Sequence, residues 1–170
     1  MAPAESYNTA LIDELIDACI KFLRVHPKQH EVLFHLGNAF YIKEQYDKAS
    51  FCFVKAVNIH PKNPVYYLHM GHAYRRIGDR EQAIAAYESV LTLNPRFADA
   101  HFNIGILFYD NRSFDKAMAS FTNALAINPR YAAARYYVGR ILQDQGAFNK
   151  AMIEYRRVVE DHLGGRLDKN

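Results

Sequence analysis

The chain has 170 residues, of which 50% are hydrophobic and 23% are charged. This composition is typical of a globular protein with a sizeable core, and it excludes an intrinsically disordered chain. The formal net charge of +3 argues against a dedicated nucleic-acid-binding protein, and the short apolar runs exclude a membrane-spanning helix.

The two cysteines, Cys19 and Cys52, are too few for a disulfide framework, and their separation does not match a metal site. We therefore expect two reduced, buried thiols. The first residues, Met1 to Ser6, lack the basic and apolar regions of a signal peptide. Together these features predict a cytoplasmic protein.

Residues 8–25 are predicted to form the first helix, preceded by a flexible segment at 1–7. Asn8 is its expected N-cap, because a short polar side chain can accept a hydrogen bond from the first free backbone N–H groups. Apolar residues recur on one side of this helix at helical spacing, at Leu11, Leu15, Ile16, Cys19, Ile20 and Leu23. We expect this side to pack on residues 30–43, so that segment 8–29 covers the N-terminal end of the remaining helices.

From residue 27 onward the sequence repeats with a period of 34 residues. Prolines recur at Pro27, Pro61, Pro95 and Pro129. Glycines recur at Gly37, Gly71, Gly105 and Gly139. Alanines recur at Ala49, Ala83, Ala117 and Ala151, and aromatic residues at Phe53, Tyr87, Phe121 and Tyr155. Because four kinds of position share one period, the chain is predicted to consist of repeated units.

Each unit is predicted to contain two antiparallel helices. In residues 64–97 the first helix spans 64–77 and the second spans 80–93, with Gly78 at the break between them. Pro95 ends the second helix, because a proline excludes the residue before it from the helical conformation.

Small residues are expected where the two helices of a unit face each other. Gly71 on the first helix and Ala83 on the second would let the backbones approach closely. Tyr74 and Tyr87 would then fill the space on either side. The same residue types at the matching positions of the other units predict the same packing there.

This pattern resembles the tetratricopeptide repeat family. The unit of that family has an aromatic residue, a Leu-Gly pair, a Tyr, an Ala, a second aromatic residue, a small residue and a Pro at fixed offsets. In residues 64–97 these positions are Tyr67, Met70, Gly71, Tyr74, Ala83, Tyr87, Val90 and Pro95. In residues 30–63 they are Leu33, Leu36, Gly37, Phe40, Ala49, Phe53, Ala56 and Pro61. In residues 98–131 they are His101, Ile104, Gly105, Phe108, Ala117, Phe121, Ala124 and Pro129. In residues 132–165 they are Arg135, Val138, Gly139, Leu142, Ala151, Tyr155 and Val158, with Leu163 in place of the proline.

The resemblance implies an all-α fold, a right-handed solenoid of four helix-turn-helix tetratricopeptide repeats with an N-terminal capping helix. The capping half repeat takes residues 8–29, and the four repeats take residues 30–63, 64–97, 98–131 and 132–165. Gly164 and Gly165 are expected to stop the last helix before a flexible end at 166–170. The charged residues of that helix predict a polar outer face at this end of the solenoid.

The resemblance also places a binding groove on the concave side, which the first helix of each repeat lines. Carried over by offset, the groove residues are Phe34, His35, Asn38, Tyr41, Leu68, His69, His72, Arg75, Phe102, Asn103, Ile106, Tyr109, Tyr136, Tyr137 and Arg140. Gln143 continues the series, and the rim includes Arg76, Asp99, Asp110 and Asp144. Aromatic side chains would supply pockets for an extended or helical peptide, and Asn, His and Tyr would supply hydrogen bonds. The alternative is that Phe34, Leu68, Phe102 and Tyr136 pack between neighbouring repeats.

Metal binding and catalysis are both disfavoured. His69 and His72 lie three residues apart on one predicted helix and could supply two metal ligands, but no third ligand is evident. The sequence also has no catalytic constellation, so we predict no metal, no cofactor and no catalytic residue.

The best-known peptide site of the family is a clamp for the acidic C-termini of heat-shock chaperones, built from Lys, Asn and Arg. The matching positions here hold Phe34, Asn38, His69, Asp99 and Asn103 or, one repeat later, Leu68, His72, Asn103, Ala133 and Tyr137. Neither set supplies the cations that a carboxylate needs. No chaperone tail of that kind is therefore expected as a partner.

These features predict a non-catalytic protein–protein interaction module, an adaptor or scaffold, that binds a peptide or helix of a partner protein. One alternative is a small assembly or secretion chaperone that shields an apolar segment of a client protein. RNA binding is disfavoured by the near-neutral charge and the acidic rim. Self-association through the ends of the stack is a further alternative.

Overall fold

The structure is a computed structural model that describes the backbone of residues 4–167 and the side chains of residues 9–161. Within that range the chain is all-α, and its nine helices are α1 Ala4–Val25, α2 His30–Ile42, α3 Tyr46–Ile59, α4 Pro64–Ile77, α5 Arg80–Leu93, α6 Ala98–Asp110, α7 Phe114–Ile127, α8 Ala132–Asp144 and α9 Phe148–Leu167. The predicted helices at 64–77 and 80–93 are confirmed residue for residue. None of the described helices is both long and apolar enough to cross a lipid bilayer.

The helices belong to two compact units, one ending at Asn94 and one beginning at Pro95. In the first unit α1 packs on α2, and the hairpins α2–α3 and α4–α5 pack through α3 and α4. In the second unit the hairpins α6–α7 and α8–α9 pack through α7 and α8. Within each unit, successive hairpins therefore stack through one helix of each, as helical repeats do.

Local sequence signals set the ends of α4 and α5. Asn63 precedes Pro64 and caps α4, since its Oδ1 accepts a hydrogen bond from the Val65 N–H at 3.0 Å. Asp79 caps α5 in the same way, with Oδ1 3.1 Å from the backbone nitrogen of Gln82. Between them Gly78 adopts a left-handed conformation, φ 91°, which closes α4.

The other three hairpin turns also contain a residue in the left-handed conformation, at positions that together with Gly78 are 34 residues apart. Glu44, Arg112 and Gly146 have φ values of 58°, 58° and 77°. Two of these residues carry a side chain, although left-handed backbone favours glycine. The turn geometry is therefore set by the hairpin rather than by the residue at its bend.

The cores form around the small and aromatic residues that carry the period. Ala49, Ala83 and Ala117 have no exposed surface, and neither do the rings of Phe53, Tyr87 and Phe121. A Cβ added to Gly37, Gly71, Gly105 or Gly139 would lie 2.5–2.6 Å from Cε1 of the aromatic residue on the second helix of the same hairpin. The sequence predicts that the two helices approach backbone to backbone at Gly71, but the glycine backbone instead contacts an aromatic ring. Tyr87 therefore packs directly on Gly71 and does not fill the space beside it.

Helix α1 caps α2 but begins earlier than predicted. Ile16 and Cys19 pack with Leu36, Ala39 and Cys52, which is the predicted contact. The helix starts at Ala4, so residues 4–7 are helical, and Asn8 lies within the helix and does not cap it. A helix that is already formed gains one hydrogen bond per added residue, so it extends where no stop signal intervenes. Residues 1–3 lie outside the described range.

The predicted stop at Gly164 and Gly165 is wrong, because α9 continues to Leu167. Each glycine costs a helix only about 1 kcal/mol relative to alanine, and continued backbone hydrogen bonding offsets this. The predicted flexible end at 166–170 is therefore helical at 166–167, and residues 168–170 lie outside the described range.

The outer face of α9 is also less polar than predicted. Phe148, Met152 and Val159 are 64%, 63% and 55% exposed. One repeat earlier the matching residues are Phe114, Met118 and Leu125, which pack against a core that includes side chains of α8. The charged residues of α9 therefore share its surface with an apolar strip that repeats the α8-facing side of α7.

Both cysteines are free and buried, as predicted. Burial raises the pKa of the Cys52 thiol to about 11, and burial also raises the pKa of Cys19. Both side chains are consequently protonated, neutral and apolar at neutral pH.

Candidate peptide-binding surface

In the first unit, the predicted groove residues form an aromatic cluster on α2 and α4. The rings of Phe34 and His69 pack edge to face with centroids 4.8 Å apart. Phe34 also lies 4.9 Å from the Tyr66 ring, and both Phe34 and His69 contact the buried Phe53 ring. Phe34 thus packs between neighbouring repeats, which is the alternative to lining the groove.

Polar groups border this cluster. His35 is exposed, while Asn38 and Leu68 are half-buried. Nδ1 of His72 lies 2.9 Å from the Tyr87 hydroxyl. The Arg75 side chain is half-buried, and its Nε has no hydrogen-bond partner among the described residues. Tyr41 packs at 5.2 Å on Tyr46, so its ring belongs partly to the hairpin core.

His69 and His72 are not part of a metal site that the structure describes. Their ring centroids are 5.9 Å apart, but no group of three His, Cys, Asp or Glu residues within the described side chains is arranged to hold a metal ion. His69 is instead an aromatic packing residue. Burial lowers the pKa of its imidazole below the ordinary value of about 6.5.

The packing of His69 predicts that stability falls in mild acid. A base whose pKa is lowered by folding binds fewer protons in the folded state, so the free energy of unfolding decreases as the pH falls through about 6.5. We expect the melting temperature to drop between neutral pH and pH ~5.5, and His69→Asn to flatten that drop, since asparagine occupies the matching buried position 103.

The control for this experiment is His35→Asn, at the adjacent groove position of α2, where the side chain is exposed. This variant should retain the pH dependence of the wild type. An unchanged pH profile in His69→Asn, measured by circular dichroism, would contradict the assignment.

In the second unit, α6, α8 and α9 form a cleft around Arg140. Its guanidinium lies over the rings of Tyr109 and Tyr136, at 5.7 and 5.9 Å from their centroids. Nη1 of Arg140 donates a hydrogen bond to the Tyr136 hydroxyl at 3.3 Å. This hydrogen bond is the main cause of a raised pKa for Arg140, whose guanidinium is therefore charged.

Two cavities, of about 290 and 490 Å³, adjoin at this point and share Arg140 and Asp144. The Tyr109 hydroxyl donates to Oδ2 of Asp144 at 2.9 Å, and the Tyr155 hydroxyl donates to Oε1 of Gln143 at 2.9 Å. Burial, followed by the hydrogen bond to Asp144, raises the pKa of Tyr109, so this hydroxyl keeps its proton. The cleft thus offers three tyrosine rings beside the fixed Arg140 cation and the Asp144 carboxylate, and Asp110 and Arg112 also line the smaller cavity.

Two predicted groove residues are buried instead. Asn103 is 7% exposed, and its Nδ2 donates to the Asp99 carbonyl at 2.7 Å, one turn earlier in α6. Ile106 is 6% exposed and belongs to the core cluster with Phe121 and Ile141. The prediction that these two line the groove is wrong, because a positional offset does not specify what neighbouring helices cover.

The remaining predicted residues divide between core and surface. Phe102 packs 5.0 Å from Tyr131 and 5.7 Å from Phe121, so it is a packing residue. Tyr137 stacks on Phe121 at 5.3 Å. Tyr136 is 42% exposed and available to a ligand.

Tyr155 is a residue of the cleft that the sequence offsets do not predict. Its period position assigns it to packing against Gly139, which the structure confirms. In the sequence, the feature that points to a role for Tyr155 beyond packing is its hydroxyl group, because Phe53 and Phe121 fill the matching positions of the first and third repeats without one. A phenol at a packing position indicates that the ring edge meets a polar group.

Family comparisons agree with this architecture. A model of the tetratricopeptide repeat matches residues 68–129 and again residues 104–162, and a TPR repeat model matches residues 37–78. The chain belongs to the tetratricopeptide repeat (TPR) family. No curated protein matches its sequence.

Several solved TPR structures share the fold. A crystal structure of MamA is 22% identical, covers 95% of both chains and superposes with a TM-score of 0.86. YrrB, described as a TPR protein with an unusual peptide-binding site, is 20% identical over 92% of this chain and 80% of its own, with a TM-score of 0.74. The first TPR of Spaghetti (RPAP3), bound to the HSP90 peptide SRMEEVD, is 23% identical over 69% of this chain and 94% of its own, with a TM-score of 0.66. At these identities the likeness establishes the fold.

Proposed function

We propose that this TPR protein is a non-catalytic interaction module that binds a peptide segment of a partner protein. The observation that carries the proposal is the Arg140 cleft, where a charged guanidinium and Asp144 lie among tyrosine rings. Tyrosine and arginine are among the residue types that most often dominate binding energy at interfaces. Two TPR proteins of the same fold, YrrB and RPAP3, are described with peptide sites or peptides.

The chemistry of the cleft indicates which peptide would fit. The Arg140 guanidinium would donate to a carbonyl or carboxylate of the peptide, and Asp144 would accept from an N–H group. An aromatic or aliphatic side chain of the peptide would lie against Tyr136 and Tyr155, whose rings are 5.7 Å apart. The described lining of the cleft contains no lysine and no asparagine, so it does not reproduce the Lys, Asn and Arg clamp for chaperone tails, and we propose a different peptide specificity.

Arg140→Ala is the test of this site. We expect the affinity for a partner recovered from lysate by pull-down to fall ~30-fold, equivalent to about 2 kcal/mol for a central hot-spot residue. The melting temperature should hardly change, because the side chain lies at the surface of α8 and not in a core cluster. Isothermal titration calorimetry with the purified partner measures the difference.

Arg130→Ala is the matched control, since Arg130 is an exposed cation in the turn before α8 and outside the cleft. Equal affinity of the two variants would remove the binding site from the cleft.

A client chaperone is the second candidate function. It is favoured by the exposed apolar side chains of the terminal helices, which are Leu11, Leu15 and Phe22 on α1 and Phe148, Met152 and Val159 on α9. Such surfaces would shield an apolar segment of a client, or join copies of the chain. A chaperone would co-purify with one unstable client, whereas an adaptor would bring down two separable partners.

A further inference from the structure

A second groove lies on the first unit, and none of the predicted peptide-groove residues lines it. It consists of two adjoining cavities of about 260 and 400 Å³, with α2 as its floor and α1 and α3 as its walls. We call it the α1–α3 groove, and the lining residues that matter here include Arg24 of α1, Leu36 of α2, and Lys48, Phe51, Cys52 and Lys55 of α3. Leu36, Phe51 and Cys52 line both cavities, so the two are continuous.

The floor of the groove is apolar. Leu36 and Cys52 are 5% and 4% exposed. Burial keeps the Cys52 thiol protonated, with a pKa of about 11, so it acts as a small apolar group. A ligand seated here would therefore present aliphatic or aromatic side chains.

Phe51 is exposed where the repeat pattern needs no aromatic residue. Its side chain is 59% exposed, while the matching positions in the second and third repeats are Ala85 and Ala119. The hairpins of those repeats form with alanine, so the Phe51 ring is not a requirement of the fold. An exposed aromatic ring at the mouth of an apolar cavity is typical of an anchor for a partner.

The rim of the groove is cationic. Nζ of Lys55 lies 4.3 Å from the Phe51 ring centroid, and Nζ of Lys48 lies 5.3 Å from that of Phe40. These lysines are seven residues apart on α3, which places them on one side of the helix about 10 Å apart. Arg24 on α1 adds a third cation, and Asp47 is the sole carboxylate among the lining residues.

We propose that the α1–α3 groove binds an acidic amphipathic helix of a partner protein. Apolar residues of that helix, spaced three and four apart, would occupy the two cavities on either side of Phe51. Carboxylates seven residues apart would meet Lys48 and Lys55, because their spacing along a helix matches that of the lysines. This site is separate from the Arg140 cleft and does not depend on it.

The test uses the full chain and two synthetic helical peptides of about 18 residues, a length at which an isolated helix becomes marginally stable. Both carry leucines at helical spacing. One has glutamates seven residues apart on the flank of the leucines, and the other has lysines there. By fluorescence anisotropy at low ionic strength, we expect the glutamate peptide to bind at least ~10-fold more tightly than the lysine peptide, with the difference decreasing as salt is added.

Three variants assign the binding to this groove. Phe51→Ala should weaken the glutamate peptide ~30-fold, as removal of a central anchor does. The double variant Lys48→Glu, Lys55→Glu should prefer the lysine peptide. Lys116→Glu is the matched control and should leave the affinity for both peptides unchanged. Lys116 occupies the position of Lys48 two repeats later, and its Nζ lies 5.5 Å from the Phe108 ring centroid, but it does not line the groove. All these side chains are on the surface, so the variants should fold, and circular dichroism melting is the check on folding.

Several results would overturn the proposal. Equal affinity for the two peptides, binding of neither, or unchanged affinity in Phe51→Ala would show that the groove does not recognise an acidic helix. Sedimentation of the protein alone provides a further check. Self-association that Phe51→Ala abolishes would assign the groove to a second copy of the chain instead.

Discussion

Replacing Gly105 with leucine is expected to lower the free energy of unfolding by about 3 kcal/mol or more, the upper range for overpacking a core. A Cβ at this position would lie 2.6 and 2.7 Å from Cε1 and Cδ1 of Phe121. The ring cannot yield, since Phe121 is fully buried among Ala117, Ala124 and Ile141. The α6–α7 hairpin would have to open to admit even the first carbon of the new side chain.

Urea denaturation of Gly105→Leu beside Ala119→Leu measures this effect. Ala119 is exposed on α7 of the same hairpin, so adding leucine there should leave the unfolding midpoint nearly unchanged. A wild-type midpoint in Gly105→Leu would refute the close contact between glycine and ring.

Ile16→Asp should detach α1 from the first unit. Ile16 is 8% exposed and packs with Cys19 on Leu36 and Ala39 of α2. A carboxylate there would be buried without a partner, and we expect a loss of about 3 kcal/mol or more. The uncovered α2 should then promote aggregation.

Leu11→Asp is the control, because Leu11 on the same helix is 63% exposed. Limited trypsin digestion should cleave Ile16→Asp at Lys21 and Arg24 long before the control, and its melting temperature should be lower. Equal resistance of the two variants would mean that Ile16 does not hold α1 in place.

Much of the fold is predictable from the sequence, because the repeat places its strongest signals where the chain turns or packs. Gly78, Asp79 and the prolines define helix ends to the residue, and the glycine–aromatic pairs identify the packing positions. The signals near the two ends, Asn8 and the pair Gly164 and Gly165, are weaker and do not set helix ends. There α1 and α9 extend by continued hydrogen bonding, through Gly164 and Gly165 in the case of α9.

The candidate site is only partly predictable. Tyr109, Tyr136 and Arg140 are brought together as the offsets suggest. Asn103 and Ile106 are not, since burial depends on the side chains that adjacent helices lay over a position. Tyr155 lies on α9, whereas the predicted groove residues lie on the first helix of each repeat. A 34-residue offset compares equivalent positions of different repeats, so it does not predict the contact between Tyr155 and Gln143 on α8.

The shared bend of the four hairpins has a consequence for how such a chain can be rebuilt. In each hairpin one residue in the left-handed conformation reverses the chain, and these residues are Glu44, Gly78, Arg112 and Gly146. The second helix of one hairpin could therefore be exchanged for that of another without redesigning the turn that joins it to the first. At Glu44 and Arg112 a side chain in this conformation costs about 1 kcal/mol, and glycine would relieve that strain in the folded state while raising the entropy of the unfolded chain.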